Sequence, residues 1–287
     1  MAYIKSPLNY SGGKYKLLNQ IIPLFPTKIN TFVDLFGGSG TISANVNANT
    51  IIYNEISEPV FNIIEWMLKT DENIILSRFD WLVKEYNLNL TNKEGYLKLR
   101  EDYNNTRDIS MLCMLNYYGY GNTLRFNSKG NYNMPFGNGK QRYSPRSIKH
   151  IHAFKDFFKN KKLILSNKDF RDFDYNQLKQ GDLVYFDPPY ITSPMPYNDM
   201  FKWDIGVEYQ LYDILDSLTD RGIMFALSNV FENRGEVHNE LIEWSKKHNV
   251  HYLNHNYGNA FETTRKDKGL ANKTVEVLIT NYELGGN

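Results

Sequence analysis

The chain has 287 residues, 41% of them hydrophobic and 23% charged, which is the composition of an ordinary globular protein rather than a disordered or fibrous one. Against 32 Asp and Glu stand 33 Lys and Arg, and a net charge of +1 excludes a uniformly basic nucleic-acid coat and a highly acidic tail; a polyanionic partner has to be met by a local patch. Its one cysteine, Cys113, excludes an internal disulfide framework and a cysteine-based metal site, and no stretch reaches the roughly 20 apolar residues of a membrane span, so a cytoplasmic protein is expected.

Along the chain, Thr31–Phe36 is a short apolar run closed by Gly37-Gly38-Ser39-Gly40, after which Thr41–Val46 can begin a helix. A second strand, Thr50–Asn54, ends at Glu55, and a helix over Glu58–Leu68 follows with Pro59 in its first turn. This βαβα opening implies a parallel sheet. From about Asp71 to Met114 the pattern is helical and polar, with Leu82, Tyr86, Leu97 and Leu112 as inward positions. Residues 115–147 break the helical period and read as a hairpin turning at Asn127–Gly130. Three more strands are expected at Lys162–Ser166, Asp182–Phe186 and Gly222–Ser228, with a helix over Val207–Leu218 between the last two. A strand pair, Val250–Asn254 and Val275–Asn281, closes the chain around a polar loop, Tyr257–Lys273. The fold class expected is α/β: a Rossmann-like doubly wound sheet interrupted by an inserted helical and β-hairpin segment.

Charge is unevenly spread. Between Ile109 and Ala153 there is no Asp or Glu, yet the stretch carries Arg125, Lys129, Lys140, Arg142, Arg146 and Lys149, interleaved with Tyr117, Tyr118, Tyr120, Phe126, Tyr132 and Tyr143. Cations among aromatics suit phosphates and bases, and a two-stranded ribbon fits a DNA major groove. A small satellite core accounts for Tyr117 and Tyr118 at least as well.

Two motifs carry chemistry. The glycine bend Gly37–Gly40 after the first strand lets the backbone approach a ligand, although such glycines serve equally to permit a tight turn. Glu55, at the end of the second strand, stands where a carboxylate can accept both hydroxyls of a ribose. Together they suggest a nucleoside-containing cofactor. The sharper signal is Asp187-Pro188-Pro189-Tyr190 at the end of an apolar strand. Two prolines stiffen this turn, so the Asp187 carboxylate and the Pro188 carbonyl become two held acceptors, which suit a planar NH₂ group, with Tyr190 placed to stack on a base. The six histidines, at 150, 152, 238, 248, 251 and 255, are scattered; His150 and His152 could form a ligand pair, but no metal site is expected.

In combination these residues resemble the Dam-like, alpha-group DNA N6-adenine methyltransferases over nearly the whole chain. Pro7–Lys14, with Tyr10, Gly12 and Lys14, resembles the family's opening segment, which lies against the cofactor. Asp34, Phe36, Gly37, Gly38, Ser39 and Gly40 resemble its cofactor loop, Glu55 and Ile56 its ribose segment, and Asp169 and Phe170 the segment that contacts the cofactor adenine. Asp187–Tyr190 is similar to the catalytic tetrapeptide, so the resemblance implies Asp187, Pro188 and Tyr190 as catalytic residues, Asp187 also touching the cofactor, and S-adenosyl-L-methionine as methyl donor. It implies double-stranded DNA as partner, with Tyr120 as a wedge in the duplex, Arg125 as the reader of a guanine, and Asn122, Thr123, Asn127, Lys140 and Arg142 as neighbouring contacts. Residues 1–56 and 161–287 would form the catalytic domain and 57–160 the target-recognition insertion. The target would be a short, possibly GATC-like sequence, served by a monomer, either as a solitary enzyme or beside a restriction endonuclease. The sequence around Gly119–Thr123 departs from the best-known Dam pattern, which leaves the target open. The same tetrapeptide would serve RNA adenine, cytosine N4 or a protein amide, and a non-catalytic DNA-binding protein on this fold is a further alternative.

Overall fold

A computed structural model of the chain describes residues 2–10, 12–137, 142–192, 203–254 and 274–284. In chain order its regular elements are helix α1 (Leu18–Ile21), strands β1 (Ile29–Asp34) and β2 (Ala48–Asn54), and helices α2 (Glu58–Lys69), α3 (Glu72–Glu85), α4 (Lys93–Thr106), α5 (Ile109–Tyr118) and α6 (Pro145–Phe158). Then come β3 (Lys162–Ser166), β4 (Leu183–Phe186), α7 (Ile205–Asp220), β5 (Met224–Asn233), β6 (Glu236–Val237), α8 (Asn239–Ser245), β7 (Asn249–Leu253) and β8 (Thr274–Thr280). They divide into two compact units, one of residues 1–15, 37–45 and 53–167, the other of residues 16–36, 46–52 and 168–287.

The second unit holds the sheet order β2-β1-β4-β5-β8-β7, with β6 attached to β5. β1 and β4 are parallel, with Asp34 opposite Tyr185, and β4 and β5 are parallel, with Phe186 opposite Leu227. β8 lies between β5 and β7 and is antiparallel to both. Apolar runs such as Leu183–Phe186 are buried along their whole length, the pattern of a sheet covered on both faces. Val33, Leu35, Val184, Phe186, Leu211, Leu215, Phe225, Leu227, Val277 and Ile279 form the core. Helix α7 starts where the Asp204 side chain accepts from the Val207 N–H at 3.1 Å.

The first unit is mainly helical. Three of its helices begin at Asx caps: Asp71 accepts from Asn73 N, Asn92 from Gly95 N and Asp108 from Ser110 N. Its core is aromatic: Phe79, Tyr96, Tyr103, Tyr117, Tyr118 and Tyr132 are all buried.

Four expectations need correction. The helix expected from Thr41 is only a 3₁₀ turn, Ser43–Asn45. The Asn45 side chain donates to Thr41 O and exchanges two 2.8 Å bonds with the backbone of Ile4, so it takes over the carbonyl that a continuing helix would use. The helical segment placed before residue 115 runs on to Tyr118, because the apolar α5 is buried on every side and lacks the amphipathic period that marks a surface helix. In α4 the inward positions are Tyr96, Leu99 and Tyr103, while Leu97 is only half-buried. The hairpin exists as two isolated antiparallel bridges, Gly119 with Phe136 and Phe126 with Tyr132, rather than as two full strands. Its turn is where it was expected: Gly130 N donates to Asn127 O at 2.8 Å, and the Asn127 side chain accepts from Lys129 N and Asn131 N.

Candidate functional site

In the first unit the glycine bend is folded around Glu55. Glu55 is 6% exposed; its Oε2 accepts from Gly38 N at 2.7 Å and its Oε1 from Ser57 N at 2.8 Å. Burial raises the carboxyl above its ordinary value, and the two N–H donors work against that rise. A carboxylate offers about four lone-pair positions, so two amide bonds do not exhaust its capacity to accept from hydroxyls. Around it, Gly37 N donates to Asn54 O, and Tyr53 places its hydroxyl on Gly38 O at 2.6 Å. Gly38 and Gly40 sit in the left-handed region, at φ 50° and 71°. A Cβ on Gly38 would come within 3.3 Å of the Tyr10 ring, so the aromatic residue of the opening segment packs directly on the bend. Ser6 Oγ donates to Ser39 O at 2.5 Å, and Ser39 and Thr41 share a hydroxyl bond of 2.8 Å. Asn167 Nδ2 donates to the carbonyls of Glu55 and Ile56.

Lys14, which could equally have been a surface charge after a glycine turn, is 7% exposed, with Nζ 3.3 Å from Gly12 O. Gly12, at φ 80°, is exposed and makes this return possible. Two residues of α5 anchor the segment: Asn116 Nδ2 donates to Asn9 O at 3.0 Å and the Tyr117 hydroxyl to Pro7 O at 2.8 Å.

In the second unit Asp34 ends β1 and is buried. Phe36 follows it, its ring 5.6 Å from Phe170, 6.3 Å from Phe186 and 5.8 Å from Trp203. Asp169 caps the short turn Phe170–Asp172 and binds the Arg171 guanidinium through both oxygens, at 2.8 and 2.6 Å. That guanidinium holds the Asp169 carboxyl below its ordinary range.

β4 delivers the tetrapeptide. Asp187 is half-buried and Pro188 buried, and the Tyr190 hydroxyl donates to Asp187 Oδ1 at 2.9 Å. Burial and the neighbouring Asp187 carboxylate both push the Tyr190 hydroxyl well above its ordinary value, so at neutral pH it stays a proton donor. Beneath this turn, Tyr185 bonds Ser228 Oγ at 2.7 Å, tying β4 to β5.

Of the residues assigned to DNA, Tyr120 is 63% exposed, in the 3₁₀ turn Tyr120–Asn122 that Gly121 permits at φ 66°. Thr123 is half-buried, with its hydroxyl on Gly121 O, and Arg142 is exposed. Arg125 is exposed, and its guanidinium crosses the hairpin to Asn133, with Nε on Oδ1 at 2.7 Å and Nη2 on the carbonyl at 2.9 Å. Lys140 and the loop 257–273 lie outside the described residues. Among the interleaved aromatics, Tyr117, Tyr118 and Tyr132 are core, and Phe126 and Tyr143 are half-buried against other rings. Only Tyr120 of the six stands out into solvent. Sequence reasoning also missed what holds the hairpin. Tyr96, Arg100, Asn104 and Arg107 of α4 and its cap bond Met134 O, Tyr132 and the turn at Gly130 and Asn131. Such a docking helix has no motif of its own. His152 meets Glu72 at 3.2 Å, and no group of three metal-ligating side chains occurs among the described residues. Nor is any helix among them long and apolar enough to cross a membrane.

A mostly parallel sheet with a glycine bend after its first strand, a buried acid after its second and Asp-Pro-Pro-Tyr after β4 is the arrangement of a Rossmann-like methyltransferase. The chain belongs to the D12 class N6 adenine-specific DNA methyltransferase family, which it matches over residues 10–259. It is 43% identical over 285 residues to the type II methyltransferase M.FokI of Planomicrobium okeanokoites. It is also 37% identical over 287 residues to the modification methylase StsI of Streptococcus sanguinis. Each alignment takes in 98% of this chain and 43% of the relative, so the chain spans less than half the length of these two proteins. The DNA adenine methylase of Escherichia coli (strain K12) is 26% identical over 291 residues, covering 97% of this chain and 95% of that one.

Proposed function

We propose that the protein is a site-specific methyltransferase that moves a methyl group from S-adenosylmethionine to N6 of an adenine turned out of duplex DNA, and that it serves as a modification enzyme beside a restriction endonuclease. The observation that carries this reading is the turn at the end of β4, where a carboxylate is held by the Tyr190 hydroxyl beside two rigid prolines. Each unit taken by itself suits a part of a nucleoside sulfonium: in the first the buried Glu55 carboxylate suits ribose hydroxyls, and in the second the Phe36 and Phe170 rings suit a purine. When bound, that group supplies an electrophilic methyl, so alignment and loss of one proton are the main demands on the protein.

Asp187 and the Pro188 carbonyl accept the two amine hydrogens, drawing the N6 lone pair out of conjugation. As positive charge grows on N6, the Asp187 carboxylate stabilises it and receives the surplus proton. Tyr190 orients that carboxylate through its hydroxyl and offers its ring to the base. In this reading residues 1–56 and 161–287 form the catalytic domain and 57–160 the target-recognition insertion, with Tyr120 as wedge, Arg125 as base reader and Asn122, Thr123, Asn127, Lys140 and Arg142 as neighbouring contacts. Tyr10, Gly12, Lys14, Asp34, the bend Gly37–Gly40, Ile56 and Asp169 complete the cofactor site. One adenine per event is served by a monomer.

The test is to methylate a plasmid library with the purified protein and map every modified position. N6-methyladenine at one short sequence, GATC-like or otherwise, is the expected result. Modification of cytosine or of RNA, or sequence-specific DNA binding with no transfer, would replace the reading with one of its alternatives.

A further inference from the structure

Of the buried acids that the chemistry above leaves without a task, one is wholly shut off from solvent. Glu208, in the first turn of α7, is 0% exposed and accepts from three side chains: Trp203 Nε1 at 2.6 Å, Tyr212 Oη at 3.1 Å and Asn229 Nδ2 at 3.2 Å. Burial pushes its carboxyl up, and the three donors counter that rise. A carboxylate in such a place is costly to desolvate, and a position needing only volume is better filled by an aliphatic side chain. The shortest of its bonds points to what it does, because it sets the orientation of one indole.

That indole, Trp203, is half-buried. Its ring lies 5.5 Å from Phe170, tilted by 44°, and 5.8 Å from Phe36, nearly edge-on at 77°. Phe36 is likewise half-buried and rests on Phe186, the residue before Asp187. Three rings from three separate segments therefore meet at the carboxyl ends of β1 and β4, the edge at which open α/β sheets take their ligands. Two of the three keep part of their surface uncovered, as a platform for a flat ring requires.

We infer that Trp203 is a wall of the slot for the methyl donor's purine ring and that Glu208 is the positioning residue that sets its angle. This rests on the function proposed above and adds two residues that the motifs do not mark. It is tested with S-adenosylhomocysteine, followed in parallel by tryptophan emission and by calorimetry on the full chain. Trp203 is one of four tryptophans, so Trp203→Phe removes a single reporter while keeping a ring. In wild type, binding changes the emission. In Trp203→Phe most of that change disappears while calorimetry still detects binding. Trp203→Ala weakens affinity about tenfold or more, the loss expected when an aromatic stack on a base is removed. Glu208→Gln shifts the emission of the free protein and weakens binding by less than Trp203→Ala. In turnover assays the defect falls on KM for the donor and not on KM for DNA. A Trp203→Phe variant with the full emission change, or a folded Trp203→Ala variant with wild-type affinity, overturns the role of Trp203 and leaves the proposed function standing. Unchanged affinity and emission in Glu208→Gln overturn the positioning role. Wild-type protein that does not bind the probe overturns both the inference and the reading beneath it.

Discussion

Replacing Gly37 by alanine probes the packing that shapes the glycine bend. The new Cβ would lie 2.2 Å from Tyr53 Cε2, 2.5 Å from Cδ2 and 3.0 Å from Asn54 O. Carbon atoms rest comfortably at about 3.5–4.0 Å, so the ring would have to retreat by more than ~1 Å. It has nowhere to go: Tyr53 is 1% exposed and its hydroxyl is committed to Gly38 O at 2.6 Å. The bend cannot back away either, because Gly37 N donates to Asn54 O at 2.7 Å. Overpacking costs about 1–3 kcal/mol, and a buried hydroxyl stripped of its partner costs about 1–3 kcal/mol. Their sum, about 4 kcal/mol at mid-range, is a large share of a typical stability of about 5–15 kcal/mol. At roughly 2–4 °C per kcal/mol for a large domain, Tm falls by about 12 °C. Thermal unfolding followed by circular dichroism reads this directly, with Gly12→Ala as the control. Gly12 has nothing within 4 Å of an added Cβ and carries only the strain of φ 80°, about 1–2 kcal/mol. In a Tyr53→Ala background the cost of Gly37→Ala should shrink, because the clashing ring is gone. A Gly37→Ala protein that melts within ~2 °C of wild type, or no lower than Gly12→Ala, refutes the argument.

Asp187→Ala should lower methyl transfer by at least about a hundredfold while S-adenosylhomocysteine binding, read by calorimetry, stays close to wild type; comparable turnover in the two proteins would remove Asp187 from the mechanism. Arg125→Ala should lose roughly 1–3 kcal/mol of discrimination at one base pair, seen as relaxed specificity at a single position of the mapped target. A uniform loss of DNA affinity across sequences would make Arg125 a phosphate contact instead. For Glu55 the folded carboxyl lies above its ordinary 4.5, so the stability it contributes is present below that value and is lost as pH rises through the folded value. Donor binding should run the opposite way, weakening as acidification protonates Glu55 at a pH where an exposed carboxylate is still ionised. Glu55→Gln should bind weakly at every pH with that step gone; a Glu55→Gln profile that keeps the wild-type step would assign it to another group.

Most strands with apolar runs were readable to within a residue or two: Lys162–Ser166 is β3 to the residue and Leu183–Phe186 ends where the tetrapeptide begins, whereas β5, expected to stop at Ser228, runs on to Asn233. Burial on both faces leaves a segment such as β4 little freedom of composition. The glycine bend was equally plain, because its left-handed backbone demands residues without side chains. What escaped depends on contacts between distant positions. Nothing local marks Thr41–Val46 as too short for a helix; Ile4, 41 residues upstream of Asn45, decides it. Composition gives the tyrosines of the basic stretch no direction: the satellite core that accounted for Tyr117 and Tyr118 at least as well as a stacking role is where both lie, and Tyr132 joins them. Glu208 and Trp203 have no motif at all, since a three-donor cage around one carboxylate is assembled from α7, its preceding turn and β5.

Glu55 clasps the bend with one oxygen and the start of α2 with the other. The same carboxylate that would select a ribose is therefore also a strut of the scaffold, and the two duties cannot be altered separately. An aspartate there, one methylene shorter, has to forfeit an amide partner before it meets any ligand. On the proposed function, attempts to retune the site toward donors with a modified sugar will meet a folding penalty at the first step, and a second change that re-anchors Gly38 or Ser57 has to come beforehand.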